Sequence, residues 1–184
     1  IKQHNSAIYH YQKALKSDPN NTSTLFNLGQ TYIDISDTDR AIEVFLQVVQ
    51  IQPTFTRAHR QLIDIYLKTE KYISALLHLK RIIKIDTNDT SAHISIGQVY
   101  TKLKKFKLAI ESLEPIKSRH PNNIEALEAL AELFYKMGNL DRSITEYRNI
   151  LGQNSKHLPS YIQLGWVHYR KGEFQMATAW TKRG

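Results

Sequence analysis

Apolar positions in this chain fall into two helical stripes, and the pair of stripes recurs every 34 residues. Ala7, Ala41, Ala75, Ala109, Ser143 and Ala177 mark the period without an insertion or deletion. In the first half of each unit one column runs Leu25, His59, His93, Leu127, Tyr161, and the next Leu28, Leu62, Ile96, Leu130, Leu164. Two more run Gly29, Ile63, Gly97, Ala131, Gly165 and Tyr32, Tyr66, Tyr100, Phe134, His168. These columns sit at i, i+3, i+4 and i+7, one face of an α-helix. In the second half Tyr11, Phe45, Leu79, Leu113, Tyr147 and Thr181 align, as do Ala14, Val48, Ile82, Ile116 and Ile150, again at helical spacing. A stack of identical helix pairs requires such a period, because every unit must present the same faces to its neighbours.

The remaining columns punctuate the pairs. Gly29, Gly97, Ala131 and Gly165 predict close approach of the paired helix. Pro19, Pro53 and Pro121 stop the second helix, since proline cannot continue one. Gly138 and Gly172 fall where the first helix turns. Three departures carry expectations. Ile63 in the small column predicts a splayed or rotated pair. Thr87 and Ser155 in the proline column predict helix ends that fray or run on. His168 replaces the tyrosine of its column.

The pattern Leu25–Leu28–Gly29–Tyr32–Ala41–Phe45–Pro53 resembles the tetratricopeptide repeat, and it returns unit after unit along the whole chain. The resemblance implies an all-α fold of about eleven helices, an α-α superhelix: a right-handed solenoid of antiparallel helix pairs forming one domain. Residues 1–21 are then a partial repeat, 22–55, 56–89, 90–123 and 124–157 are full repeats, and 158–184 is a second partial one. Neither end reads as a polar capping helix. Further helices over the ends, or self-association through them, are therefore expected.

Composition changes this picture little, and charge somewhat. Hydrophobic residues make up 41% of the 184, charged residues 23%, which fits a folded domain. No apolar run is long enough to cross a membrane. The compartment stays open, with a lean toward the cytoplasm. With no cysteine, disulfides and thiolate metal sites are excluded within this stretch. The net charge of +8 is concentrated: residues 56–123 carry 13 Lys/Arg against 6 Asp/Glu. Lys80, Arg81 and Lys84 lie on one second helix, and Lys102, Lys104, Lys105 and Lys107 around one turn. Such a patch suits an anionic partner, a membrane surface or nucleic acid. Few aromatics interleave with it, so nucleic acid is disfavoured.

No phosphate loop, catalytic triad or metal-ligand spacing appears, so neither enzyme activity nor a cofactor is expected in this stretch. His59 and His93 read as packing residues, and His78, His120 and His157 as surface residues. The resemblance implies that first helices line a concave surface that binds peptides. Its candidate positions lie between the packing columns: Asn27 and Gln30; Arg57, Arg60 and Asp64; Ile94 and Gln98; Glu125, Glu128 and Glu132; and Trp166. Arg57 and Arg60 share a face as i, i+3, and the three glutamates do so as i, i+3, i+7. Some members of the family clamp the C-terminal carboxylate of heat-shock chaperones. Asn27 and Arg57 match two positions of that clamp, but Gln61 stands where arginine is required, so the resemblance does not extend to it. The reading is a non-catalytic scaffold that binds a protein segment in the groove and helps assemble a complex. The alternatives are an adaptor to an anionic partner through the basic patch, or the repeat region of a larger enzyme.

Overall fold

A computed structural model describes residues 2–183, which pack as two units, residues 2–89 and 90–183. The first holds α1 (Lys2–Ser17), α2 (Thr22–Asp34), α3 (Thr38–Ile51), α4 (Thr56–Lys68) and α5 (Tyr72–Ile85). The second holds α6 (Thr90–Lys102), α7 (Phe106–Arg119), α8 (Ile124–Met137), α9 (Leu140–Gln153), α10 (Leu158–Arg170) and α11 (Phe174–Thr181). No strand occurs among the described residues, and none of these helices is long and apolar enough to span a membrane. The pairs α2–α3, α4–α5, α6–α7, α8–α9 and α10–α11 pack as helical hairpins.

Helix boundaries have local causes, and those at the ends of the first helices recur with the period. Asn21 and Asn123 cap α2 and α8, their side-chain oxygens accepting the backbone N–H of Thr24 at 2.9 Å and of Ala126 at 2.8 Å. First helices end on one repeated backbone bond. The N–H groups of Asp37, Lys71, Lys105, Asn139 and Glu173 each donate to the carbonyl five residues earlier, at 2.8–2.9 Å. This closes a Schellman turn, which needs a left-handed residue just before the donor. Gly138 and Gly172 supply it with φ of 81° and 83°. The other repeats place Ser36, Glu70 and Lys104 there, at 62°, 56° and 56°.

The ends of α5 and α9 correct the sequence expectation. They neither fray nor run on: Ile85 and Gln153 stand 34 residues from their counterparts Ile51 and Arg119. Where proline is missing, a side chain stops the helix. Asp86 Oδ1 accepts the Asn88 N–H at 2.9 Å, and Asn154 Oδ1 accepts the Lys156 N–H at 3.1 Å. These Asx turns offer the chain a non-helical continuation.

The columns form the cores. Leu28, Ala41, Phe45, Val48 and Leu62 are buried in the first unit; Ala109, Leu113, Leu130 and Phe134 in the second, beside a further cluster of Leu127, Tyr147, Ile150 and Leu164. A Cβ on Gly29 would lie 2.7 Å from the Phe45 ring, and one on Gly97 would collide with Leu113. Ile63 is buried at the small-residue position all the same. Ser143, in the alanine column, is fully buried and donates its hydroxyl to the Ala131 carbonyl at 2.9 Å.

Candidate functional site

In the second unit α6, α8 and α10 bring their between-column residues to one concavity of about 420 Å³. Gln98 of α6, Glu128, Glu132 and Tyr135 of α8, and Gln163 of α10 line it, with Tyr147 of α9. Lys136 stands in the wall as its cation. Tyr147 is only 6% exposed, and its hydroxyl makes no hydrogen bond among the described residues. Burial, reinforced by Glu132 and Glu128, pushes this phenol far above its ordinary pKa, so it is held as a donor. The glutamates are partly engaged. Lys102 Nζ donates to Glu132 at 2.8 Å, joining α6 to α8, and His157 Nε2 lies 3.6 Å from Glu128. The acidic strip therefore also serves to align neighbouring helices. What remains is a small mixed site: two amides, two carboxylates, two phenols and a cation.

Of the residues expected from sequence, Gln98, Glu128 and Glu132 meet in this concavity. Glu125, one turn earlier, is exposed. Ile94 requires correction: it is fully buried in the core with Ala109, Leu113 and Leu130, and is unavailable to a ligand. At that register Arg60 and Glu128 reach outward and Ile162 is exposed, whereas Phe26 and Ile94 are buried against neighbouring helices. Trp166 is 59% exposed, edge-on to Tyr169 at 6.2 Å, and lines a separate hollow with Gly165 and Thr181. In the first unit Asn27 and Asp64 are exposed and Gln30 half-buried. Arg57 lies over the Phe26 ring at 4.5 Å, and Arg60 pairs with Asp89 at 2.5 Å.

The histidines hold the largest departure. His78 is 4% exposed rather than a surface residue. The His59 Nε2–H donates to the Pro53 carbonyl at 3.0 Å, which leaves His59 Nδ1 to accept from the His78 Nδ1–H at 2.9 Å. Tyr66 stacks on His78. Burial, with Arg81 also opposing charge, lowers the pKa of His59. Burial and the facing His59 lower that of His78 to about 4. The same second-helix column buries Glu146, 3% exposed, against Lys117 at 2.6 Å. His78 and Glu146 share that column with Ser112 and the half-buried Val44, a signal the aligned repeats carried.

Tetratricopeptide repeat models match residues 10–43 and 90–115. A solved structure of MamA protein is 30% identical and covers 84% of this chain and 85% of its own, with a TM-score of 0.72. MamA from Desulfovibrio magneticus RS-1 is 17% identical over 88% of this chain and 92% of its own, with a TM-score of 0.75. YrrB, described as a TPR protein with an unusual peptide-binding site, is 17% identical over 94% of this chain and 89% of its own, at 0.68. The last two show the fold alone. A co-chaperone with tetratricopeptide repeats and a J domain, DNJ1 of Fusarium oxysporum f. sp. lycopersici, is 32% identical over 71 residues. That match spans 39% of this chain and 14% of the co-chaperone. Repeats and relatives together support a protein-interaction scaffold on an all-α solenoid. With the period, the paired helices and these likenesses in agreement, the chain belongs to the tetratricopeptide repeat family.

Proposed function

We propose that the chain is a non-catalytic scaffold whose first-helix faces hold a peptide segment of a partner protein and so help assemble a complex. The observation that carries this reading is the concavity between α6, α8 and α10, with the unpartnered Tyr147 phenol in its lining. An extended segment brings alternating N–H and C=O groups. Gln98 and Gln163 offer both a donor and an acceptor, Tyr147 donates, and Glu128 accepts. Charges of both signs around these groups orient the segment more than they tighten it.

Peptides selected from a random library on the intact chain provide the probe. Reversing Glu125, Glu128 and Glu132 together to lysine is expected to abolish their binding while helicity is retained. Changing Lys80, Arg81 and Lys84 to glutamate is expected to leave it largely intact. The opposite outcome, at equal salt, moves the function to the basic surface.

A further inference from the structure

Helix α5 breaks the periodic pattern on its outer face. At its second and sixth positions α3, α7, α9 and α11 carry polar or small residues: Asp39, Lys107, Asp141 and Gln175 at one, Glu43, Glu111, Thr145 and Ala179 at the other, and α1 carries Asn5 and the exposed Tyr9. α5 carries Ile73 and Leu77 there, 66% and 59% exposed. With Lys80 and Lys84, also exposed, they form a strip about 60° wide at about 100° of turn per residue. Arg81 flanks the strip, Lys71 precedes it, and α5 contains no carboxylate. Glu70 and Asp86 lie just beyond its two ends. None of Lys80, Arg81 and Lys84 forms an ion pair among the described residues.

We infer that this strip of α5 is a docking surface for an anionic lipid bilayer. Two aliphatic side chains standing clear of the helix are placed to enter the headgroup layer, and the lysines one and two turns on meet its phosphates and carboxylates. An acidic peptide helix would be seated in a groove between helices, whereas these four residues stand on the crest of one. Nucleic acid fits less well, because the strip has no aromatic ring on which a base would stack.

The test is co-sedimentation of the chain with vesicles of phosphatidylserine and phosphatidylcholine, against phosphatidylcholine alone. Binding to the anionic vesicles only is expected. Ile73→Ser with Leu77→Ser, which leaves charge unchanged, should weaken it about tenfold or more. Ile73→Asp with Leu77→Glu should abolish it. The latter pair restores the residue types of Asp39 and Glu43, so folding is expected to survive and circular dichroism checks it. Lys105→Gln with Lys107→Gln, which lowers net charge by the same amount as the acidic pair, should bind within about twofold of the parent, because those lysines lie off the strip. Failure of the parent to sediment with anionic vesicles overturns the inference. So does equal binding by the serine variant, or α5-dependent binding to polyglutamate without binding to vesicles.

Discussion

The buried pair His59–His78 makes the first unit sensitive to mild acid. Both imidazoles are held neutral by burial, and their Nδ1 atoms face each other at 2.9 Å with a single proton between them. Protonating both would set two N–H groups nose to nose. The folded pKa of His78, about 4, lies below its ordinary 6.5, so between those values the unfolded chain binds more protons. Stability is thus complete above about pH 6.5 and falls as pH drops toward 4, by up to about 3 kcal/mol at 1.4 kcal/mol per unit. Replacing His59 by Leu and His78 by Val, the residues of the preceding repeat at Leu25 and Val44, should flatten the dependence of the urea midpoint between pH 7.5 and 5. An unchanged slope would show that the pair is not its source. The alanine column offers a second test at this scale. Ala109 is fully exposure-free between packed helices, so Ala109→Arg should cost several kcal/mol, whereas Lys105→Ala on the surface should cost less than about 0.5 kcal/mol. Equal melting shifts would contradict the assignment of the columns.

Among the elements, the helix turns store a small, removable strain. Glu70 and Lys104 hold positive φ at the position that Gly138 and Gly172 fill in later repeats. A left-handed L-residue costs about 1–2 kcal/mol, and glycine returns part of that through unfolded-state entropy, so Lys104→Gly should stabilise by about 0.5–1 kcal/mol. A fall in the thermal midpoint would contradict this. The two glycines marked the turn in the sequence. The non-glycine members of the column were hidden, because Glu70 and Lys104 carry no turn chemistry of their own and Ser36 only a weak one. Glycine inside the helices has two opposite meanings. Gly97→Ala sets a methyl into Leu113, and overpacking of about 1–3 kcal/mol exceeds the gain in helix propensity of about 1 kcal/mol. Gly152 has nothing within 4 Å of an added Cβ, so Gly152→Ala should gain a few tenths of a kcal/mol. Chemical denaturation of the pair should give shifts of opposite sign; shifts of one sign would remove the packing explanation of the small column.

At the scale of the molecule, periodicity was the legible part. Thr22, Thr56, Thr90, Ile124 and Leu158 begin their helices at intervals of 34 residues, as the aligned columns implied. Local spacing alone determines such boundaries, and no distant contact has to be known. The site was legible only in part. The pattern located Gln98, Glu128 and Glu132 because polar side chains between apolar columns have to face outward. It misplaced Ile94, whose apolar side chain follows the core, and it passed over Tyr147, a packing residue by column that also lines the concavity. It also could not show that Lys102 and His157 lie beside the glutamates, since those contacts join residues about 30 apart in the chain. The scaffold reading therefore rests on where a peptide binds. Amide chemical-shift mapping of the intact chain during titration with a library-selected peptide locates it directly. The account predicts that the largest changes fall on α6, α8 and α10 around Gln98, Glu128 and Gln163, and that Tyr147→Phe weakens the same peptide. Changes confined to the second helices, with Tyr147→Phe binding as tightly as the parent, would contradict it.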